Sequence, residues 1–131
     1  MNQVTNVRFA GRGGMGVLKA SDILAEVAFR SGLDVKKAEV HGMSQRGGTL
    51  TGDVRYGERV FSPMIPEGQA DFLVAMAADE IDIHRPCLKD GGVLIAPDTV
   101  DAGKLDNKKS LNVAMLGALS ARLGFPEELW I

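Results

Sequence analysis

The stretch Asn6-Val-Arg-Phe-Ala-Gly-Arg-Gly-Gly-Met-Gly16 sets a short, largely apolar run directly before glycines spaced as G-x-G-x-x-G, at Gly11, Gly13 and Gly16. Asn6 to Ala10 reads as a strand. The residues after Gly16 change to a helical period: Val17, Ala20, Leu24, Val27 and Ala28 share one face, with Lys19, Asp22, Glu26 and Arg30 off it. Gly32 marks the helix stop. Leu33 to Val40 reads as a second strand, expected parallel to the first through a right-handed crossover, which makes one βαβ unit. In that setting glycines permit a tight turn and let backbone N–H groups at the helix start approach phosphate oxygens. Glu39, near the end of the second strand, stands where a ribose-binding acid is expected, roughly 20 residues past the fingerprint. Two readings stay open: a phosphate-bearing ligand at the loop, or glycines that simply let helix pack closely on strand.

Beyond this unit comes His41-Gly-Met-Ser-Gln-Arg-Gly-Gly48, a polar loop rich in glycine. The alternating run Thr49 to Tyr56 and the run Arg59 to Ser62, separated by Gly57-Glu58, read as a hairpin with a two-residue turn. Pro63 and Pro66 bracket a surface loop, and Asp71 to Met76 reads as a buried strand. Ala77 to Leu88 suggests a short helix limited by Pro86. Asp90-Gly-Gly92 turns the chain into a further buried strand, Val93 to Ala96. Ala102 to Lys109 is polar, and Leu111 to Leu123 reads as a final helix, apolar on more than one face and so covered on both sides. The expected fold is α/β: a Rossmann-like three-layer domain with a mixed, mostly parallel sheet and a hairpin insertion.

A chain of 131 residues is one domain, without space for a separate substrate domain. Apolar residues at 45% and charged residues at 24% fit a globular protein and argue against disorder. The longest uncharged stretch, Ser110 to Ala121, is shorter than the roughly 18 apolar residues a spanning helix needs. Arg8 stands where a secretory signal would require apolar residues, so a cytoplasmic location is expected, with no membrane contact. A net charge of −2 gives no basic footprint for nucleic acid. With Cys87 as the single cysteine, this chain has no disulfide framework, no structural zinc site and no all-cysteine cluster, and no metal ligand set is predicted on it.

In the second glycine loop, Arg46 between small neighbours can present a planar five-donor fork to a phosphate or carboxylate. His41 could donate to the same anion or carry a proton. The plainer alternatives are an interface salt bridge for Arg46 and a backbone-satisfied loop histidine for His41. Cys87 reads as a buried small hydrophobe. Asp79, Glu80 and Asp82 read as a solvated acidic face, and His84 has no partner evident from spacing.

Taken together, Gly11 to Gly16, His41 to Gly48, Val54-Arg-Tyr-Gly57, Phe61-Ser-Pro-Met-Ile-Pro66 and Leu88-Lys-Asp-Gly-Gly-Val-Leu-Ile95 resemble one family across nearly the whole chain. They are similar to gamma-type subunits of 2-oxoacid:ferredoxin oxidoreductases, and the His41 to Gly48 form is nearest to small subunits acting on indolepyruvate. The resemblance implies a noncatalytic partner within a larger enzyme that oxidatively decarboxylates a 2-oxo acid to an acyl-coenzyme A. Thiamine diphosphate, Mg and 4Fe-4S clusters are then expected on a large partner subunit, with ferredoxin reached through the complex and coenzyme A as cosubstrate. No G-D-G…N-N thiamine motif occurs in this chain. By the same resemblance, Gly11, Gly13, Gly14, Met15 and Gly16 border a subunit interface or a phosphate. His41, Ser44, Gln45, Arg46, Gly47 and Gly48 face the active-site side, with Arg46 as the anion contact. Family members carry a further strand and crossover where this chain passes from Asp106 to Asn107, and they continue beyond a Leu-Trp such as Leu129-Trp130. Additional native chain is therefore expected at both places. The rival reading, from another class, is a free-standing dinucleotide- or phosphate-binding module using Gly11 to Gly16 and Glu39.

Overall fold

The computed structural model describes residues 4–12, 17–41, 49–76 and 81–96, together with Leu119 and Leu123. In chain order these form β1 (Val4–Arg12), α1 (Val17–Arg30), β2 (Asp34–His41), β3 (Thr49–Gly57), β4 (Ala70–Ala75), α2 (Ile81–His84), a 3-10 turn (Arg85–Cys87) and β5 (Leu88–Ile95). The five strands make one sheet in the order β2-β3-β1-β4-β5. β4 runs parallel to both β1 and β5, whereas β3 is antiparallel to β1 and to β2. The sheet is mixed, with β3 alone running against the other four. Among the described residues no helix is long and apolar enough to cross a membrane.

The α1 pattern is the expected one. Val17, Ala20, Leu24, Val27 and Ala28 are buried, and Lys19, Asp22, Glu26 and Arg30 are exposed. Gly32 ends the helix at φ +86°, a conformation that favours glycine. Its N–H donates to the Phe29 carbonyl at 3.0 Å while the Leu33 N–H donates to Ala28 at 3.3 Å, the paired bonds of a Schellman cap.

Three expectations about topology change. β2 does run parallel to β1, but β3 lies between them, so the βαβ unit is split. A hairpin does occur, one element earlier than expected: β2 and β3 pair antiparallel around the segment 42–48, and no turn forms at Gly57-Glu58. The reason is that both edges of β3 are already taken. Gly57 pairs with Val4 on one side and Asp34 on the other, which leaves no ladder for Arg59 to Ser62. Finally, Asp90-Gly-Gly92 does not precede the last strand but lies inside it. Ala70 pairs with Leu88 and Phe72 with Val93, so β5 carries extra residues at a bulge, with Gly91 at φ +80°.

Strand alternation divides the sheet into two faces. Val7, Phe9, Leu50, Val54, Tyr56 and Val74 turn toward α1 and share a core with Leu24 and Leu119. Ala10 and Leu73 turn the other way and pack with Ile65, Cys87 and Ala70, the last at the start of β4 beside the register irregularity. The first face is where helix and sheet approach most closely. A Cβ on Gly52 would lie 2.8 Å from the Ser21 Oγ and 2.9 Å from its Cβ, and Ser21 is itself 1% exposed. Close packing of helix on strand is thus served by a glycine in β3. The final helix is described only at Leu119, which is buried, and at Leu123, which packs against the same core.

Two outcomes follow from this packing. Gly52→Ala should destabilise the protein by about 1–3 kcal/mol through overpacking, with part of the loss recovered when Ser21→Gly is added. Urea titration checks it, and an unchanged midpoint would remove the contact from the account. Burial also pushes the Tyr56 hydroxyl up to about 12, against an opposing hydrogen bond with Thr5. The unfolded phenol ionises near 10, so its stabilising effect is complete below that pH and is lost as pH rises through the folded value. Stability should fall between pH 10 and about 12 more steeply in the wild type than in Tyr56→Phe, as read by denaturant melts across that window.

Candidate functional site

β1 ends at Arg12, β2 ends at His41 and β3 begins at Thr49, the points where the two glycine loops join the sheet. Leu50 of β3 pairs with Gly11 of β1 on one side and with His41 of β2 on the other, so the end of β1, the end of β2 and the start of β3 share one edge. The parallel strands β4 and β5 end at this edge too, where the Met76 N–H donates to the Ala10 carbonyl at 2.8 Å. In open α/β sheets the carboxyl ends of strands are where ligands bind. Gly11 and His41 thus flank Leu50 at this end of the sheet, two strand spacings apart. Gly13, Gly14, Met15, Gly16, Ser44, Gln45, Arg46, Gly47 and Gly48 lie outside the described residues.

Glu39 loses its assigned role. A ribose-binding acid must reach from the strand next to the fingerprint strand, and here β3 intervenes. Glu39 pairs with Gly52 of β3, so its strand stands two spacings, about 9–10 Å, from β1. Its carboxylate lies 3.6 Å from Lys37. Among the described residues, no acid stands on the strand beside β1 at the position that reading assigned to Glu39.

A second assembly lies on the face opposite α1. Arg8 and Asp53 are directly paired across β1 and β3, and the Arg8 fork is bidentate: Nε donates to Oδ1 at 2.8 Å and Nη2 to Oδ2 at 2.9 Å. The Asp53 side chain is 2% exposed and that of Arg8 23%. The bond to Asp53 raises the guanidinium above its ordinary value, which keeps it charged. Cys87 lies beside Arg8, buried as expected; burial pushes its thiol up, although the neighbouring guanidinium opposes the shift.

Arg8 forms the floor of a cleft of about 260 Å³, with Ile65 and Pro66 on one wall and Ile83, Pro86 and Cys87 on the other. Glu67 and His84 also border it. The first wall belongs to the loop 58–69, whose backbone is held by side chains. The Val60 N–H donates to Asp34 at 2.8 Å, which holds that carboxyl below the usual carboxylate range. Arg55 donates through Nη1 to the carbonyls of Ser62 at 2.9 Å and Met64 at 2.7 Å, and through Nε to Asn6 Oδ1 at 2.8 Å. Asn6 Nδ2 donates in turn to the Gln69 carbonyl at 2.9 Å. Side-chain hydrogen bonds of Arg55, Asn6 and Asp34 thus tie the loop wall to the sheet. The cleft contains a cation already neutralised and a thiol kept protonated, so it presents no activated nucleophile.

Sequence reasoning passed over this assembly. In the sequence Arg8 stands out only as a charge within an apolar run, Asp53 carries no local signal, and Cys87 and His84 lie far from both. The available signal is the alternation of polar residues along both runs, Asn6 and Arg8 in the first and Asp53 and Arg55 in the second, which become pairs only when the register is known.

Residues 6–101 match the family described as pyruvate ferredoxin/flavodoxin oxidoreductase. The chain is 33% identical to the indolepyruvate oxidoreductase subunit IorB of Thermococcus kodakarensis, over 92% of this chain and 79% of that protein. Among solved structures it is similar to the gamma subunit of a keto/oxoacid ferredoxin oxidoreductase from Geobacter sulfurreducens, with a TM-score of 0.74 and 27% identity, covering 96% of this chain and 82% of that one. It also matches the fold of part of a 2-oxoglutarate:ferredoxin oxidoreductase from Magnetococcus marinus, in a structure with 2-oxoglutarate, coenzyme A and succinyl-CoA bound. There the TM-score is 0.80 at 20% identity, and the match covers 99% of this chain but 26% of that one.

Because Asp53 is buried, removing its partner leaves an uncompensated carboxylate. Arg8→Met should cost about 3–5 kcal/mol, and the double variant Arg8→Met/Asp53→Leu should recover much of that loss. A double-mutant cycle in guanidinium chloride measures the coupling; a single-variant cost below about 1 kcal/mol would mean that the pair does not hold this face together.

Proposed function

We infer the function from one premise: the chain belongs to the pyruvate ferredoxin/flavodoxin oxidoreductase family, as a gamma-type subunit of a 2-oxoacid:ferredoxin oxidoreductase. The reaction it serves in this reading is oxidative decarboxylation of a 2-oxo acid to an acyl-coenzyme A in the cytoplasm, with two electrons leaving singly for ferredoxin. Indolepyruvate is the proposed substrate. Its support is the identity to the archaeal IorB subunit over 92% of this chain. The acyl-coenzyme A product is supported by the family resemblance and by the ligands bound in the Magnetococcus marinus enzyme of the same fold.

Thiamine diphosphate with its Mg ion supplies the electron sink for decarboxylation when bound, and iron–sulfur clusters supply the electron path; both are assigned to a large partner subunit. The residues of this chain fit that division. A 4Fe-4S cluster takes four thiolates, and the one cysteine here is buried beside Arg8.

The contribution of this chain is then an edge that faces the reacting groups. The observation carrying this is the placement of Leu50 between Gly11 and His41, which makes the two glycine loops start next to one another. Small residues at Gly13, Gly14, Gly16, Gly47 and Gly48 let another surface or a phosphate come close, and Met15, Ser44 and Gln45 flank them. Arg46 supplies the anion contact, to a coenzyme A phosphate or to the carboxylate of the 2-oxo acid.

The test is reconstitution with the large subunit and an assay of ferredoxin reduction across indolepyruvate, pyruvate, branched-chain oxo acids and 2-oxoglutarate. The chain alone should show no turnover, and the complex should have its highest kcat/KM with indolepyruvate. Arg46→Ala should raise KM at least tenfold for either coenzyme A or the 2-oxo acid, which identifies the anion. Unchanged kinetics in that variant would make the loop purely structural. Isolation of the untagged protein from its source without a thiamine-binding partner would overturn the subunit reading itself.

A further inference from the structure

The loop 58–69 joins β3 to β4 over the second face of the sheet and belongs to no ladder. Only Val60 and Ile65 of the loop are buried. Its attachment is mainly polar and is concentrated on one side chain. Arg55 of β3 donates to the carbonyls of both Ser62 and Met64 at the middle of the loop, and its third bond, to Asn6, orients the fork that makes the other two. The ends are held separately, the Val60 N–H by Asp34 and the Gln69 carbonyl by Asn6. At the β4 end the Gln69 N–H donates to the Pro66 carbonyl at 3.1 Å, with Gly68 at φ +75°, so a closed turn gives the loop a fold point there.

This loop shields the single thiol of the chain. Cys87 is 6% exposed, shares a small core with Ile65, and lines the cleft of which Ile65, Pro66 and Glu67 form one side. Lifting the loop takes that side away. Arg8 stays, because Asp53 holds it across β1 and β3, and His84 stays on α2. Burial, which pushes the Cys87 thiol up, is then relieved, while the neighbouring guanidinium that favours its ionisation remains. Movement of one loop is enough to turn an inert thiol into a reactive one.

We propose that the loop 58–69 is a strap that opens locally while the sheet stays intact, that Arg55 is its latch, and that strap opening governs the exposure of Cys87. Segments that bury few apolar side chains open at lower free energy than the core around them. Here the two cores of the sheet are built largely from strand and helix side chains, and the strap contributes Ile65 to the smaller one. The device stands independently of the reaction proposed above.

The experiment labels Cys87 of the full chain with iodoacetamide at fixed pH without denaturant, and follows the alkylated fraction by intact mass. Wild-type labelling should be at least a hundredfold slower than in the denatured chain. Arg55→Met, which removes the latch, should label at least tenfold faster than the wild type. Asp34→Ala, which frees only the Val60 end, should label at least threefold faster and decides the matter if Arg55→Met does not fold. Gly52→Ala strains the opposite face of the sheet, and its labelling should stay within threefold of the wild type. Amide exchange in Arg55→Met should quicken in the loop 58–69 and stay slow in β1 and β3. Wild-type labelling rates in both Arg55→Met and Asp34→Ala would overturn the latch. Acceleration in Gly52→Ala equal to that in Arg55→Met would mean that the reagent reaches Cys87 by global unfolding, which overturns the strap. A wild-type thiol that labels as fast as in the denatured chain would remove the shielding altogether.

Discussion

The two edges of β3 govern the rest of the molecule. β3 spends one edge on β1 and the other on β2, with continuous registers on both sides. That arrangement forbids a hairpin after Gly57, separates the strand of Glu39 from β1, and sets Leu50 between Gly11 and His41. It also places Arg8 opposite Asp53 and Asn6 opposite Arg55, so the polar residues of two strands face one another on one side of the sheet. A parallel β2 beside β1 would have dispersed all of these.

The two faces of the sheet are held by different physics. Toward α1 the packing is apolar and close, down to a β3 glycine that leaves room for Ser21. On the other face the apolar cluster is small, and the loop 58–69 buries Ile65 and Val60 but exposes Phe61 and Met64. Net hydrogen bonds contribute only about 0.5–1.5 kcal/mol each. Their role there is to satisfy backbone groups that no strand partner reaches, and so to fix where the exposed side chains stand. Pro63 and Pro66 reinforce this by removing N–H groups that would otherwise need partners.

What the sequence discloses follows from the range of the interaction concerned. The α1 face and the Gly32 stop are legible because period and cap chemistry are local, and both occur where Val17 to Gly32 predict them. The strands β1 and β4 are legible as apolar runs. The position of β3 is not, since pairing of Gly57 with Val4 and Asp34 is a contest between distant segments that no window contains. The run Arg59 to Ser62 has strand-like composition and is kept from pairing by lack of a free edge. For the site, the spacing marks two glycine loops that each follow a strand, but that Gly11 and His41 flank Leu50 is a matter of pairing, and the bond between Arg8 and Asp53 spans 45 residues and likewise depends on a register known only after folding.

The cleft and the glycine end of the sheet depend on one ladder. Arg8, which lines the cleft, is three residues from Gly11 along β1, about 10 Å at strand rise. The pairing of β1 with β3 that sets Arg8 against Asp53 runs on without a break to set Gly11 against Leu50, which pairs with His41 of β2 on its other side. A one-residue slip of that register would turn the Arg8 side chain toward the α1 core and away from Asp53, and would move Gly11 from its place beside Leu50, so the ion pair pins both features at once.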